Sequence, residues 1–207
     1  MIVRRKIMYV LVLLFLLVAA LASGQTQDHL SSDEIKTAAS TPLGTGFLWL
    51  QDGDFTTPTL CQAQMPALFI YTPTAWLSTL SVNARKQYRQ FEPTPEDTLR
   101  ALTIISHGCA NGTPAGPVCD SITRVVLISD TAGSKVAEAV ESHPVSQSWQ
   151  NGFGASAACS SLVSRFLLTD VERVRNSKGE FFVATFDGPT RLKVYTVKQK
   201  HLKKLGM

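Results

Sequence analysis

Once its first two dozen residues are set aside, the chain has almost no excess charge. The formal net charge is +4, but Arg4, Arg5 and Lys6 all precede the first acid, Asp28, so residues 25–207 carry only +1. A general nucleic-acid binder shows a basic excess over the whole domain; none is present, and no nucleic-acid partner is expected. No repeat of fixed period occurs, which excludes solenoids and propellers. The four cysteines include no Cys-x-x-Cys pair, and the four histidines no His-x-x-x-His pair. A zinc site built on His107, Cys109 and Cys119 therefore lacks the usual ligand spacing, and neither a metal nor a cofactor is expected. No cysteine directly follows the N-terminal apolar run, so a lipid-modified N-terminal cysteine is excluded.

What the chain does have is an export address. The cationic Arg4-Arg5-Lys6 runs into an uncharged stretch from Ile7 to Leu21, and Ala20-Leu21-Ala22 and Ala22-Ser23-Gly24 both offer the small-x-small pattern of a signal-peptidase site. Residues 1–24 read as a signal peptide, with a mature N-terminus at Ser23 or Gln25. The small-residue exit and the short apolar run favour cleavage over an uncleaved membrane anchor, which needs roughly 20 apolar residues. The residues flanking Arg4-Arg5 fit a twin-arginine signal poorly. The protein is expected in the periplasm or outside the cell, with residues 25–207 forming one domain of ordinary size.

An even cysteine count in an oxidising compartment reads as two disulfides. Cys109 and Cys119 bracket a turn-rich loop, which leaves Cys61 to pair with Cys159 across roughly 100 residues. On polymer-entropy grounds the long closure contributes up to about 4.7 kcal/mol and the short one about 3 kcal/mol.

Gln25 to Leu30 reads as a flexible N-terminus. Ser31 and Glu34 form a capping box for a short helix. Gly46 to Leu50 and Ala67 to Tyr71 read as strands, and Thr74 to Gln90 as a helix with Trp76, Leu77, Leu80, Ala84 and Tyr88 on one stripe. Thr98–Ile105 and Ile122–Ile128 read as a long hairpin with a stapled tip, and Lys135–Val140 as a third strand. Val145 to Ala158, poor in large apolar residues, reads as an irregular connection. Leu162–Leu168 reads as a strand, and Thr169 to Glu172 as a second capping box. Two further strands, Glu180–Phe186 and Leu192–Val197, are joined by a tight turn. The fold class is α+β: an antiparallel sheet with a few helices, mainly towards the N-terminal half.

The export signal, Tyr71-Thr72-Pro73-Thr74-Ala75-Trp76 and the ending Lys198 to Met207 together resemble uncharacterised secreted proteins of environmental bacteria. The resemblance implies an exported bacterial protein and implies no catalytic residues.

Among chemical constellations, Gly154-Ala155-Ser156-Ala157-Ala158 approximates a nucleophile elbow, with Asp170 or Asp187 and then His201 following in α/β-hydrolase order. An elbow needs a buried strand before the serine and a helix after it, and Ser148 to Phe153 is no such strand. Ser106 and His107 are strand neighbours that point to opposite faces. Asp52-Gly53-Asp54 lacks the further oxygen ligands of a calcium loop. Lys198, Lys200, His201, Lys203 and Lys204 read as a solvated tail, with weak contact to an anionic surface as the functional alternative. The sequence thus favours a secreted, non-catalytic binding or envelope-associated protein over a small serine hydrolase using Ser156, Asp187 and His201.

Overall fold

The computed structural model describes residues 28–41, 46–50, 68–107, 112–113, 116–117, 121–150 and 156–207; for 112–113, 116–117, 146–150 and 156–160 the description covers backbone only. Residues 1–24, Asp52, Asp54, Cys61, Cys109 and Cys119 lie outside it, as does the Cys159 side chain. Among the described residues no helix is long and apolar enough to cross a membrane.

In chain order the elements are helix α1 (Ser32–Ser40), strands β1 (Phe47–Leu50) and β2 (Leu68–Tyr71), helix α2 (Pro73–Lys86) and strand β3 (Ala101–His107). A two-residue ribbon follows, β4 (Gly112–Thr113) with β5 (Gly116–Pro117). Next come β6 (Arg124–Ile128), β7 (Val136–Glu138), β8 (Glu141–Gln150) and β9 (Ser156–Leu167). Helix α3 (Leu168–Val174), β10 (Phe181–Asp187), β11 (Thr190–Val197) and helix α4 (Gln199–Leu205) complete the chain. The class is α+β, with two antiparallel sheets ordered β1-β2-β3-β9-β8 and β11-β10-β6-β7. The four helices are not concentrated towards the N-terminus, because α3 and α4 lie in the C-terminal third.

The two sheets share one core. Alternation along each strand sends Leu68, Ile70, Leu102, Ile104, Leu162 and Phe166 inward from the first sheet. Val125, Leu127, Phe181, Val183 and Val197 meet them from the second, and Val171, Val174, Leu202 and Leu205 of α3 and α4 close the ends. The C-terminal segment is therefore not a solvated tail. It is a two-turn helix whose Leu202 and Leu205 are buried in the main core, stopped by Gly206 at φ +76°.

The long hairpin expected from β3 and β6 does not form, since the two strands lie in different sheets. β3 pairs with β2 and β9, and β6 with β7 and β10. The intervening loop, which contains the β4–β5 ribbon, crosses from one sheet to the other. Val145 to Ala158, expected to be irregular, instead supplies much of β8 and β9, paired from Glu141↔Arg165 to Gln150↔Ser156. Its small residues form strands because they extend a β8–β9 ladder whose other end, Ser161 to Leu167, is anchored by β3, so pairing overrides weak intrinsic preference.

The Ser31–Glu34 capping box is present: Ser31 N donates to Glu34 Oε2 at 2.8 Å and Glu34 N to Ser31 Oγ at 3.4 Å. The second expected box is absent. Leu167 occupies the N-cap of α3 without a side-chain bond. Asp28 to Leu30 is tied down, with Leu30 N donating to Thr98 O and Arg100 N to Asp28 O, and Leu30 buried.

Helix α2 starts on the Thr72 cap with Pro73 in its first turn. Its buried face is Ala75, Leu77, Ser78 and Ser81 rather than the expected stripe, and Tyr88 falls beyond it, 99 % exposed at φ +55°. The serines face the end of α1: Ser78 Oγ donates to Thr41 O at 2.7 Å and Ser81 Oγ to Ala39 O at 2.9 Å, with Arg85 donating to the same carbonyl. These bonds satisfy carbonyls that a helix C-terminus leaves unpaired.

Candidate functional site

Residues opposite one another on paired strands share a face of the sheet. On the first sheet this alignment carries Phe47 to Tyr71, Trp49 to Phe69, Phe69 to Ile105, and His107 to Ser161. The face away from the core therefore gathers an aromatic row. Phe47 and Tyr71 lie 5.9 Å apart between ring centroids and Phe69 and Tyr71 6.3 Å, both pairs near-parallel. His107 meets Phe69 edge-on at 5.5 Å, and Trp76 of α2 meets Tyr71 at 5.8 Å. Phe47 and Trp49 stay exposed at 38 % and 49 %. Burial raises the pKa of the Tyr71 hydroxyl above its ordinary value.

The same face holds two polar nodes. At one, His107 Nδ1 lies 2.6 Å from Ser161 Oγ on the neighbouring strand, while its Nε2 is buried with no partner. Burial lowers the His107 pKa below the ordinary imidazole value, so the neutral ring is favoured. An activated serine needs room for substrate and a third group to orient the base. Ser161 is only 1 % exposed, and no carboxylate bonds His107 Nε2. The pair is a cross-strand polar contact.

At the second node Arg165, 2 % exposed, donates through Nη1 to the Glu96 carbonyl, and the same nitrogen lies 3.5 Å from Glu141 Oε2. Its Nε and Nη2, and the Oγ1 of the opposing Thr103, are buried without partners.

The sequence-derived hydrolase residues are placed on separate elements. Ser156 opens strand β9, so a strand and not a helix follows it. Asp187 ends β10 in the other sheet, and Asp170 pairs with Arg173 on α3. His201 lies on α4, where Nδ1 accepts the Lys198 amide at 3.2 Å. Its pKa is lowered by burial first and then by Lys200, Lys198 and Lys204. Asp187 and His201 are not hydrogen-bonded to each other. Lys198, Lys200, Lys203 and Lys204 remain exposed on α4, so the basic surface persists although the tail is folded. Among the described residues no three His, Cys, Asp or Glu side chains converge as metal ligands.

No family model, curated protein or solved structure matches this chain. The site therefore rests on geometry alone. Its signal was present in the sequence as two aromatic pairs at i, i+2, Phe47/Trp49 and Phe69/Tyr71. The His107–Ser161 contact was hidden because Ser161 belongs to a strand read as beginning only at Leu162.

The strand edges differ in a way that bears on this face. Natural proteins guard edge strands with charge, proline or shortness. Edge strand β8 carries Glu141, His143 and Pro144, β11 carries Arg191 and Lys193, and β7 ends at Glu138, which pairs with Arg124. β1, the last described strand on its side of the sheet, reads Phe-Leu-Trp-Leu with neither charge nor proline. Its outer residues are the exposed end of the aromatic row.

Proposed function

We propose that this is an exported, non-catalytic binding protein that docks an extended, apolar segment of a partner polypeptide on β1 and the adjoining aromatic face. The observation that carries the reading is the continuity of Phe69 and Tyr71 on β2 with the exposed Phe47 and Trp49 on β1, the described edge strand of the two larger sheets that has neither charge nor proline. An added strand gains main-chain hydrogen bonds from such an edge, and alternate side chains supply specificity. Aromatic residues are enriched where interfaces hold their binding energy. The near-neutral mature chain argues against an anionic polymer as the main partner.

Panning a random-peptide display library against the purified protein tests this reading. Apolar, charge-poor peptides should be enriched, and their binding should be lost in Trp49→Ser and Phe47→Ser. Enrichment that survives both substitutions, or no enrichment, overturns the reading. Labelling of Ser156 by a fluorophosphonate, abolished by Ser156→Ala, would establish the hydrolase alternative instead.

The reading includes N-terminal processing and two disulfides, Cys109–Cys119 and Cys61–Cys159. The N-terminal segment is removed as a signal peptide, after Ala22 or after Gly24, leaving Ser23 or Gln25 at the N-terminus. Sequencing that finds Met1 on membrane-extracted protein would show an anchored form.

A further inference from the structure

Two turns face each other at one end of the second sheet, remote in sequence from the aromatic face. The first joins β6 to β7. Asp130 Oδ1 accepts the Ser134 amide at 3.1 Å, and Ser129 Oγ accepts the Lys135 amide at 3.1 Å. The second joins α3 to β10 and is closed by Asn176, whose Oδ1 accepts the amides of Lys178 and Glu180 at 2.9 and 3.0 Å. Between them lies a cleft of about 410 Å³ lined by side chains of both turns, with Phe182 among them.

The cleft is built from donors. Lys135 is exposed and lies within ion-pair distance of no carboxylate among the described residues. Arg175 lines the opposite wall. Its Nη2 lies at ion-pair distance, 2.8 Å, from Glu172 Oε1 without hydrogen-bond geometry, and its Nε is likewise buried with no acceptor. Arg191 reaches the rim by donating to the Thr131 carbonyl at 3.1 Å. Two carboxylates oppose these three cations. Glu172 is committed to Arg175, and Asp130 is turned into its own loop, where the Ser134 hydroxyl and amide hold it ionised. The hydroxyls of Thr131 and Ser177 have no protein partner among the described residues.

Arg175 keeps 23 % of its side chain exposed, and an incoming oxyanion would meet that surface rather than the buried Nε. Arginine's planar fork and a nearby ammonium together suit an oxygen-rich anion. We propose that this cleft binds a phosphoryl group, held by Lys135, Arg175, Thr131 and Ser177. A phosphoryl group presents three acceptor oxygens, matching the cationic and hydroxyl donors on both walls. Free small phosphates and phospholipid headgroups share this chemistry.

The test is a ¹⁵N NMR titration of the purified protein at fixed ionic strength, with inorganic phosphate in one arm. The other arm uses phosphatidylcholine vesicles with or without phosphatidic acid. Saturable shifts should be confined to the amides of Thr131, Lys135 and Ser177 and their neighbours. Lys135→Gln should weaken binding about tenfold. Ser177→Asp, at an exposed turn position, should abolish it by adding a carboxylate. Response to inorganic phosphate identifies a soluble ligand, and response only to phosphatidic acid identifies a headgroup. Either supports the site if Lys135→Gln and Ser177→Asp weaken it. No saturable response in either arm, a response insensitive to both variants, or shifts centred on Lys198–Lys204 overturns the proposal.

Discussion

Replacing Arg165 with Met removes a guanidinium that is 2 % exposed yet has acceptors for only one of its nitrogens. Each buried donor left without a partner costs about 1–3 kcal/mol, and Nε and Nη2 both fall in that class. Against this, wild type gains the Nη1 bond to Glu96 O and the attraction of Glu141, whose side chain is 36 % exposed and regains water readily. A buried ion pair exchanged for a well-packed apolar side chain is often neutral or stabilising, so Arg165→Met should lie within about 1 kcal/mol of wild type. Glu141→Ala behaves differently. It leaves the charge buried with a single carbonyl, and should cost about 2 kcal/mol, below the 3–5 kcal/mol seen for fully buried pairs because Glu141 is partly exposed. In Arg165→Met, adding Glu141→Ala should cost little more, giving a coupling of about 2 kcal/mol. Urea denaturation followed by tryptophan fluorescence, with the m-value checked for constancy, measures all four corners. A loss above about 3 kcal/mol for Arg165→Met, or a coupling near zero, would refute the reasoning.

Gly46 sits at φ +79°, and a Cβ there would lie 2.6 Å from Oγ1 of Thr72, the cap of α2. Gly46→Ala should therefore cost about 2–3 kcal/mol, combining a left-handed backbone with a disturbed cap; a melting curve equal to wild type would contradict this. Burial lowers the folded-state pKa of His107 below 6.5, so the unfolded chain takes up the proton first and stability falls as pH drops through 6.5. The slope from this one group is at most about 1.4 kcal/mol per pH unit, and denaturation midpoints between pH 7.5 and 5.5 should be flatter in His107→Gln. If they are not, His107 is not a source of the dependence. Non-reducing peptide mapping of protein from the oxidising compartment should find Cys109–Cys119 and Cys61–Cys159, and a peptide linking Cys61 to Cys109 or Cys119 would rule that pairing out.

Local chemistry was legible and long-range pairing was not. The Ser31 capping box, the strands around Leu48, Ile70 and Leu127, and the antiparallel class follow from side-chain pattern and turns. The partners of β3 do not, because nothing in Thr98–Ile105 or Ile122–Ile128 states that the intervening loop crosses between sheets. Ser156 to Ser161 lacks large apolar residues, and its strand exists because β8 pairs with it residue by residue, while β3 reaches β9 only from Ser161 onward. Leu202 and Leu205 are too few to read as a core face until α4 is seen over the end of the sandwich, in contact with β1. The aromatic site was half visible. Each aromatic pair showed the period of a strand, but only the β1–β2 register at Phe47↔Tyr71 makes the pairs one row.

Hydrogen–deuterium exchange of the protein with and without a display-selected peptide addresses the docking surface most directly. The account predicts that bound peptide slows exchange at Phe47–Leu50, the edge whose amides an added strand would pair, and that Trp49→Ser abolishes this protection. Protection that leaves β1 unchanged and falls on β8, β11 or α4 would contradict it.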